Sequence, residues 1–256
     1  MSWAMNIIEF LDKSRSAMSR THTTSTAPAP ALAPATMAYA SKTKTIIEYL
    51  HSEEADPNHL AYANARNDEG LQALAGGVLP ALKRKQTVLG KYLASADEEK
   101  IHVSEKTKAF WREKKAAVEV LLEALENAGK AEGELDADGQ RKRAAFLTEA
   151  RQAWEVSLKD VLVKINDEII GPFSLGDQLS LADLHLASWL ARIVSLSGGT
   201  YEDDGQTAIG KLETHIGDGF GLVKDAEEES KSKLCVFWDA VRGRGSWKRV
   251  YGEGIF

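Results

Sequence analysis

Ser180 and Asp183 are the two residues whose types and spacing are the most informative in this sequence, since they stand three positions apart at the start of an apolar run. This is the capping-box pattern, in which each side chain accepts a hydrogen bond from the other residue's backbone N–H. Leu179 and Leu184 flank the pair at the positions of a hydrophobic staple. We favour this role over that of a catalytic acid for Asp183, because the first-turn N–H groups of a buried helix cannot reach water.

The other reactive side chains form no metal-binding or nucleophilic pattern. The six histidines are His22, His51, His59, His102, His185 and His215, and no two lie at metal-ligand spacing. His185 is predicted to be a core histidine, and Cys235 a small buried hydrophobe. A single cysteine excludes an intrachain disulfide and fits a reducing compartment, so we expect a cytoplasmic protein. We predict no metal and no tightly bound cofactor.

The charge of the chain favours neutral or small-molecule partners. Its net charge is −6, which provides no excess positive field for nucleic acid. The basic clusters at residues 141 to 143 and 242 to 245 are predicted to be solvated faces or loops. The most apolar stretch, residues 181 to 194, is interrupted by Asp183, His185 and Arg192, and is too short to span a membrane. We therefore predict no nucleic-acid and no membrane partner.

The elements that must position these residues are predicted to be helices, and the fold class is all-α. Residues 1 to 40 are rich in Ser, Thr, Ala and Pro and are predicted to be disordered, with order beginning near Thr43. Asp56 and Pro57 predict a helix start, and that helix is expected to run toward residue 93. Because proline removes one rung of the hydrogen-bond ladder, residues 76 to 80 predict a kink or break.

Two further helices show apolar stripes. Residues 104 to 128, with Ser104 as the cap, carry the stripe Phe110, Ala117, Leu121, Ala124 and Ala128. The clearest stripe consists of Leu147, Ala150, Trp154, Leu158, Val161, Ile165 and Ile169. Residues 181 to 194 are apolar on nearly all sides, which predicts a helix enclosed by others. Residues 197 to 221 are predicted to be a loop region, followed by a last helix over 225 to 241.

At the capping segment the sequence resembles the glutathione transferase family, in particular its fungal members. The matching residues are Gly171-Pro172-Phe173-Ser174-Leu175-Gly176-Asp177 and Ser180-Leu181-Ala182-Asp183-Leu184, with Phe237-Trp238 and Ser246-Trp247-Lys248-Arg249-Val250-Tyr251 in the tail. The resemblance implies that residues 56 to 256 form the family's C-terminal helical domain. It also implies that residues 41 to 55 are a one-helix remnant of the N-terminal thioredoxin-like domain, most of which is missing.

The resemblance also assigns candidate site residues. Thr43 takes the place of the serine that receives the γ-glutamyl end of glutathione, whereas Lys42 stands where the family has an acid and would repel the glutathione ammonium group. Tyr62 and Arg66, expected one helical turn apart, are assigned to the substrate pocket. No thiolate-activating residue or cis-proline is found, so the resemblance provides no catalytic residue.

Two functions follow as expectations. The family reaction is conjugation of glutathione, as co-substrate, to small hydrophobic electrophiles, and we expect it to be impaired because the glutathione site is largely absent. The alternative is a non-catalytic helical module that binds a ligand or another protein. We also expect self-association into a homodimer or larger species, because loss of the thioredoxin-like half would expose apolar surface.

Overall fold

The protein is all-helical in the computed structural model, which describes residues 7, 10 to 12, 32, 33, 36 to 217 and 232 to 252. From residue 36 onward the described residues contain ten α-helices and no strand, apart from an isolated bridge between Phe173 and Gly176, and residues 7 and 10 to 12 are helical too. In chain order the helices are α1 (Met37–Leu50), α2 (Pro57–Tyr62), α3 (Asp68–Asp97), α4 (Glu105–Leu125), α5 (Ala137–Arg151), α6 (Lys159–Glu168), α7 (Leu181–Leu196), α8 (Gly205–Ile216), α9 (Lys233–Arg242) and α10 (Gly245–Tyr251). The all-α prediction is confirmed.

The chain divides into two compact units. Unit 1 comprises residues 1 to 57 and 155 to 256, and unit 2 comprises residues 58 to 154. A π-helical segment, Gln152–Leu158, joins α5 to α6 at the boundary. The predicted stripe from Leu147 to Ile169 is confirmed, because its residues from Ala150 onward are all buried. Every fourth residue from Ala150 to Leu158 lies inside, as burial of one face requires.

Helix α7 is the enclosed helix of unit 1, as predicted. Ten of its residues are buried, and they include Asp183 and His185. It contacts α1 and α8. The indole N–H of Trp189 donates to the carbonyl of Ala55 at 2.7 Å, which satisfies a polar group that would otherwise be buried without a partner.

Helix α1 begins earlier than the sequence indicated. It begins at Met37, because Thr36 caps it by accepting from the N–H of Tyr39, and Thr43 lies within it rather than at its start. Residues 37 to 40 are therefore helical, although they belong to the segment predicted to be disordered. Residues 7 and 10 to 12 of that segment are helical as well, and the Asp12 carboxylate accepts from the N–H groups of Leu32 at 2.8 Å and Ala33 at 3.2 Å. The rest of that segment, apart from residue 36, lies outside the described residues.

Helix α8 was missed, and residues 197 to 221 are not all loop. Asp204 caps α8 by accepting from the N–H of Thr207, and the helix buries Ile209, Leu212 and Ile216. The glycine and threonine content of this stretch obscured the apolar spacing. Helix α9 buries Phe237 and Trp238 and begins at Lys233, capped by Ser232. The predicted start near residue 225 lies outside the described residues.

In unit 2 the longest elements are the neighbouring helices α3 and α4. Their shared core contains Leu71, Leu82, Val118, Leu122 and Leu125. The prediction of one continuous helix from Pro57 was wrong, because the chain is non-helical at residues 63 to 67. Helix α3 continues through Pro80 without a break. Asn67 starts α3 by accepting from the N–H of Gly70 at 2.7 Å.

Candidate functional site

Ser180 is the N-cap residue of α7, as predicted, and one half of the predicted capping box is present, the hydrogen bond from the N–H of Ser180 to the Asp183 carboxylate, whereas the Ser180 hydroxyl makes no cap hydrogen bond to the helix backbone. Asp183 has no exposed surface, and its Oδ2 accepts from the N–H and the hydroxyl of Ser180, each at 2.6 Å. Its Oδ1 accepts from the N–H of Ser174 at 2.6 Å. The carboxylate thus fastens the 171–177 segment to the helix. With these three hydrogen bonds the role of Asp183 is structural, because the carboxylate is not presented to a ligand.

Thr43 and Lys42, the positions that the resemblance assigns to glutathione, lie in unit 1. Thr43 is 5% exposed, and its hydroxyl makes no hydrogen bond within the part of the chain that the structure describes. The Lys42 ammonium group donates to the carboxylate of Glu168 at 2.6 Å and to its carbonyl at 2.9 Å. The positive charge of Lys42 is therefore neutralised within the protein.

Tyr62 and Arg66 are not brought together as expected. Tyr62 is the last residue of α2, and Arg66 lies in the non-helical segment that follows, so the two residues are not one helical turn apart. The carbonyl of Arg66 accepts from the guanidinium group of Arg151 at 2.9 Å. Only Tyr62 lines the pocket described next.

The pocket lies within unit 2, beside α4 and α5, and has a volume of about 470 Å³. That volume falls within the range of roughly 300 to 1,000 Å³ that small-molecule sites occupy. Its lining residues are His59, Tyr62, Ala63, Ala117, Val120, Leu121, Glu123, Ala124, Lys142, Ala145, Phe146, Glu149 and Ala150. Two aromatic rings and several small side chains give it an apolar wall with room for a flat or compact molecule.

One ion pair and one histidine–carboxylate contact lie among the lining residues of this pocket. His59 and Glu149 lie 3.6 Å apart, and Lys142 contacts Glu123 at 2.8 Å. Lys142 also contacts Asp138 at 3.0 Å. Hydrogen bonding to Glu123 and then to Asp138 raises the pKa of Lys142, so this side chain stays cationic. These polar groups can orient a bound molecule while the apolar wall holds its body.

The pocket residues on α4 explain an error in the predicted stripe of that helix. Phe110 is 52% exposed and Ala117 is exposed, whereas Val118, Leu122 and Leu125 are buried. Two members of the predicted stripe, Ala124 and Ala128, are buried as expected, whereas Phe110, Ala117 and Leu121 are not. Ala117, Leu121 and Ala124 line the pocket. The helix also ends at Leu125, before the predicted end.

His185 and Cys235 are both buried, as predicted. His185 is 5% exposed, and its Nδ1 lies 3.1 Å from Nε2 of His51. Cys235 is buried, as predicted, and its thiol receives a hydrogen bond from the Ser232 hydroxyl at 3.1 Å. Among the described residues no group of three or more His, Cys, Asp and Glu side chains could hold a metal ion. Within the same residues, no helix has the length and apolar character needed to cross a membrane.

Arg143 is a buried residue that the sequence did not reveal. It was predicted to be solvated with its basic neighbours, but it is 6% exposed. Its Nη2 donates to the carbonyls of Asn127 at 2.5 Å and Lys130 at 2.8 Å. These carbonyls lie just beyond the C-terminus of α4, where a cation is favourable. The guanidinium group therefore closes the turn between α4 and the segment leading to α5.

Comparison of the chain with protein-family models, with curated proteins and with solved structures finds no match in any of the three. The candidate site consequently has to be interpreted from its own geometry and chemistry.

Proposed function

We propose that this chain is a glutathione transferase-like protein whose unit 2 binds small hydrophobic molecules in the pocket beside α4 and α5. The observation that carries the proposal is the pocket itself, with Tyr62 and Phe146 in its wall. Burial of apolar ligand surface is favourable by about 25 cal/mol per Å². The side chains of Lys142 and Glu149 offer polar anchors beside this wall.

The proposal is tested by filling the pocket. Ala117 lines it, whereas the neighbouring residue Ala116 is exposed on α4 and does not. Ala117→Trp is expected to weaken binding of the fluorescent probe 1-anilinonaphthalene-8-sulfonate at least tenfold, while Ala116→Trp leaves it within twofold. The measurement is a fluorescence titration of the folded full chain. Equal effects of the two substitutions, or no saturable binding to the unsubstituted chain, would contradict the proposal.

The second candidate function is the family reaction, conjugation of glutathione to a small electrophile. What favours it is the capping segment, because the resemblance to glutathione transferases is strongest there, at residues 171 to 184. The buried hydroxyl of Thr43 would be the remaining contact for glutathione. The ion pair between Lys42 and Glu168 offers no acid for its ammonium group, so we place non-catalytic binding first.

Retention on glutathione resin and transfer of glutathione to an aromatic halide distinguish the two functions. If the chain conjugates glutathione, we expect both retention on the resin and transfer to the halide, and we expect the Thr43→Val variant to lose retention. If the chain only binds a ligand, we expect neither retention nor transfer, while the fluorescent probe still binds in the pocket.

A further inference from the structure

The outer part of the α3–α4 hairpin, residues 83 to 116, buries very little. Only Ala96 is buried in this stretch, which we call the outer hairpin. Three large apolar side chains are exposed there: Val88 at 38%, Tyr92 at 48% and Phe110 at 52%. The hairpin core described above ends at Leu82 and Val118. The outer hairpin is therefore a two-helix projection of unit 2 with apolar groups on its surface.

The outer hairpin also concentrates positive charge. It contains ten lysines and arginines against five acidic residues, in a chain whose net charge is −6. Four of those acids are already paired with lysines of the same stretch, namely Asp97 and Glu105 with Lys108, Glu98 with Lys100 and Glu113 with Lys114. Five cations form no ion pair with any described residue: Arg84, Lys85, Lys91, Lys106 and Arg112. The surface thus carries unneutralised positive charge.

Three of these cations share one face of α3 with apolar side chains. Arg84, Lys85, Val88, Lys91 and Tyr92 fall at helical spacings of one, four, seven and eight, which places them along one side of the helix. Tyr92 stacks on Trp111 of α4, with the ring centroids 5.3 Å apart, and this contact orients its ring. We call these five residues the basic face.

The neighbouring residue Lys83 points elsewhere. Its ammonium group lies 2.9 Å from the carboxylate of Glu126 on α4. Gln86, on the same side of α3, contacts Glu119 of α4. On this side of the hairpin the lysine is already paired with a carboxylate. Substitution of such a paired lysine therefore serves as a control for substitution of the unpaired cations.

We infer that the basic face docks an acidic amphipathic helix of a partner protein. Arg84 and Lys91 lie seven residues apart, which is about 10.5 Å along a helix axis. Acidic residues seven apart on a partner helix have the same separation, and an apolar residue midway would pack on Val88 and Tyr92. The opposite charges of the two surfaces favour such a partner, and the apolar contacts bury side-chain surface that is otherwise exposed to water.

A helix fits this face better than nucleic acid does. One ring face of Tyr92 is covered by Trp111, and a lysine, Lys114, lies over the ring of Phe110 at 5.4 Å. Fewer ring faces are therefore accessible for the base stacking by which single-stranded nucleic acid binds.

The test uses the full chain and a labelled synthetic helical peptide of about three heptads, with Glu at every seventh position and Leu midway. Fluorescence anisotropy is expected to show saturable binding that weakens with salt. The double substitution Arg84→Gln with Lys91→Gln is expected to weaken binding at least fivefold. The matched double substitution Lys83→Gln with Lys100→Gln removes the same charge from paired positions and is expected to leave the affinity within twofold.

Four outcomes would overturn the inference. These are no binding of the peptide at millimolar concentration, equal binding of a peptide with Gln in place of Glu, equal effects of the two double substitutions, and tighter binding of oligothymidylate than of the peptide. The inference is overturned in a fifth way if the basic-face substitutions abolish self-association in sedimentation, because the occupant of the basic face is then a second copy of this chain. None of these results bears on the pocket, whose lining excludes the basic face.

Discussion

Asp183 joins two parts of unit 1 through one carboxylate. Its Oδ2 accepts from the N–H of Ser180 and its Oδ1 from the N–H of Ser174, each at 2.6 Å, while the side chain has no exposed surface. A buried acceptor with this many donors is costly to remove, because each donor left unsatisfied costs about 1 to 3 kcal/mol. The first prediction follows from this arrangement.

Asp183→Ala is expected to lower the free energy of unfolding by about 3 kcal/mol or more, because it orphans buried N–H groups at the start of α7. Asp177→Ala, at an exposed position in the neighbouring loop, is expected to change it by less than about 0.5 kcal/mol. Chemical denaturation followed by circular dichroism measures both values. Similar losses for the two variants would show that the carboxylate of Asp183 is not the fastening group.

Substitution by alanine is predicted to lower the stability of the protein at Gly205 and to raise it at Gly77. A Cβ on Gly205 would overlap the backbone carbonyl of Cys235, so Gly205→Ala is expected to cost about 1 to 3 kcal/mol. Gly77 lies exposed inside α3, with nothing within 4 Å of an added Cβ. Gly77→Ala is expected to stabilise the protein by about 0.5 to 1 kcal/mol, because it reduces the entropy of the unfolded chain.

Thermal unfolding of the two glycine variants provides the measurement. The midpoint should fall for Gly205→Ala and rise for Gly77→Ala. A stabilised Gly205→Ala variant would mean that α8 and α9 do not approach each other as closely as described.

Arg143 is predicted to stabilise unit 2 through its hydrogen bonds to the carbonyls of Asn127 and Lys130. Arg143→Met keeps much of the aliphatic bulk but loses both bonds, and is expected to cost about 2 kcal/mol. Arg141→Met removes an exposed guanidinium group that pairs with Asp138, and is expected to cost less than about 0.5 kcal/mol. Urea titration of both variants tests the difference, and equal midpoints would refute it.

The pKa of Asp138 is predicted to depend on Lys142. A hydrogen bond from Lys142, with lesser contributions from its charge and from Arg141, lowers the pKa of Asp138 below its ordinary value. Because the folded-state pKa is depressed, the contribution of this carboxylate to stability is present at neutral pH. It is lost as the pH falls through the folded-state pKa.

Lys142→Gln is therefore expected to move the pKa of Asp138 back toward its ordinary value, and to weaken the acid dependence of stability. Carbon-detected NMR titration of the Asp138 carboxyl group measures the shift. Lys114→Gln, whose lysine pairs with Glu113 on the outer hairpin, is the control and should leave the Asp138 titration unchanged.

Local pattern predicted most of the longer helices and several of their caps. The four-residue spacing of Ala150, Trp154 and Leu158 required a buried face, and Ser104 and Ser180 marked helix starts that the structure confirms. These features depend on neighbours within one turn or two, and such neighbours are visible in a sequence. Helix α8 was not predicted, because glycine and threonine separate its apolar residues and make their helical spacing hard to recognise.

The tertiary structure determined which face of a helix is buried and which charged side chain is buried. Arg141, Lys142 and Arg143 are alike as sequence, yet only Arg143 is buried, because the turn after α4 places two carbonyls within its reach. Likewise Ala117 and Val118 are adjacent apolar residues, and only the approach of α3 makes the second a core residue and leaves the first to line a pocket. Burial depends on which distant segment packs against a side chain, and local sequence does not carry that information.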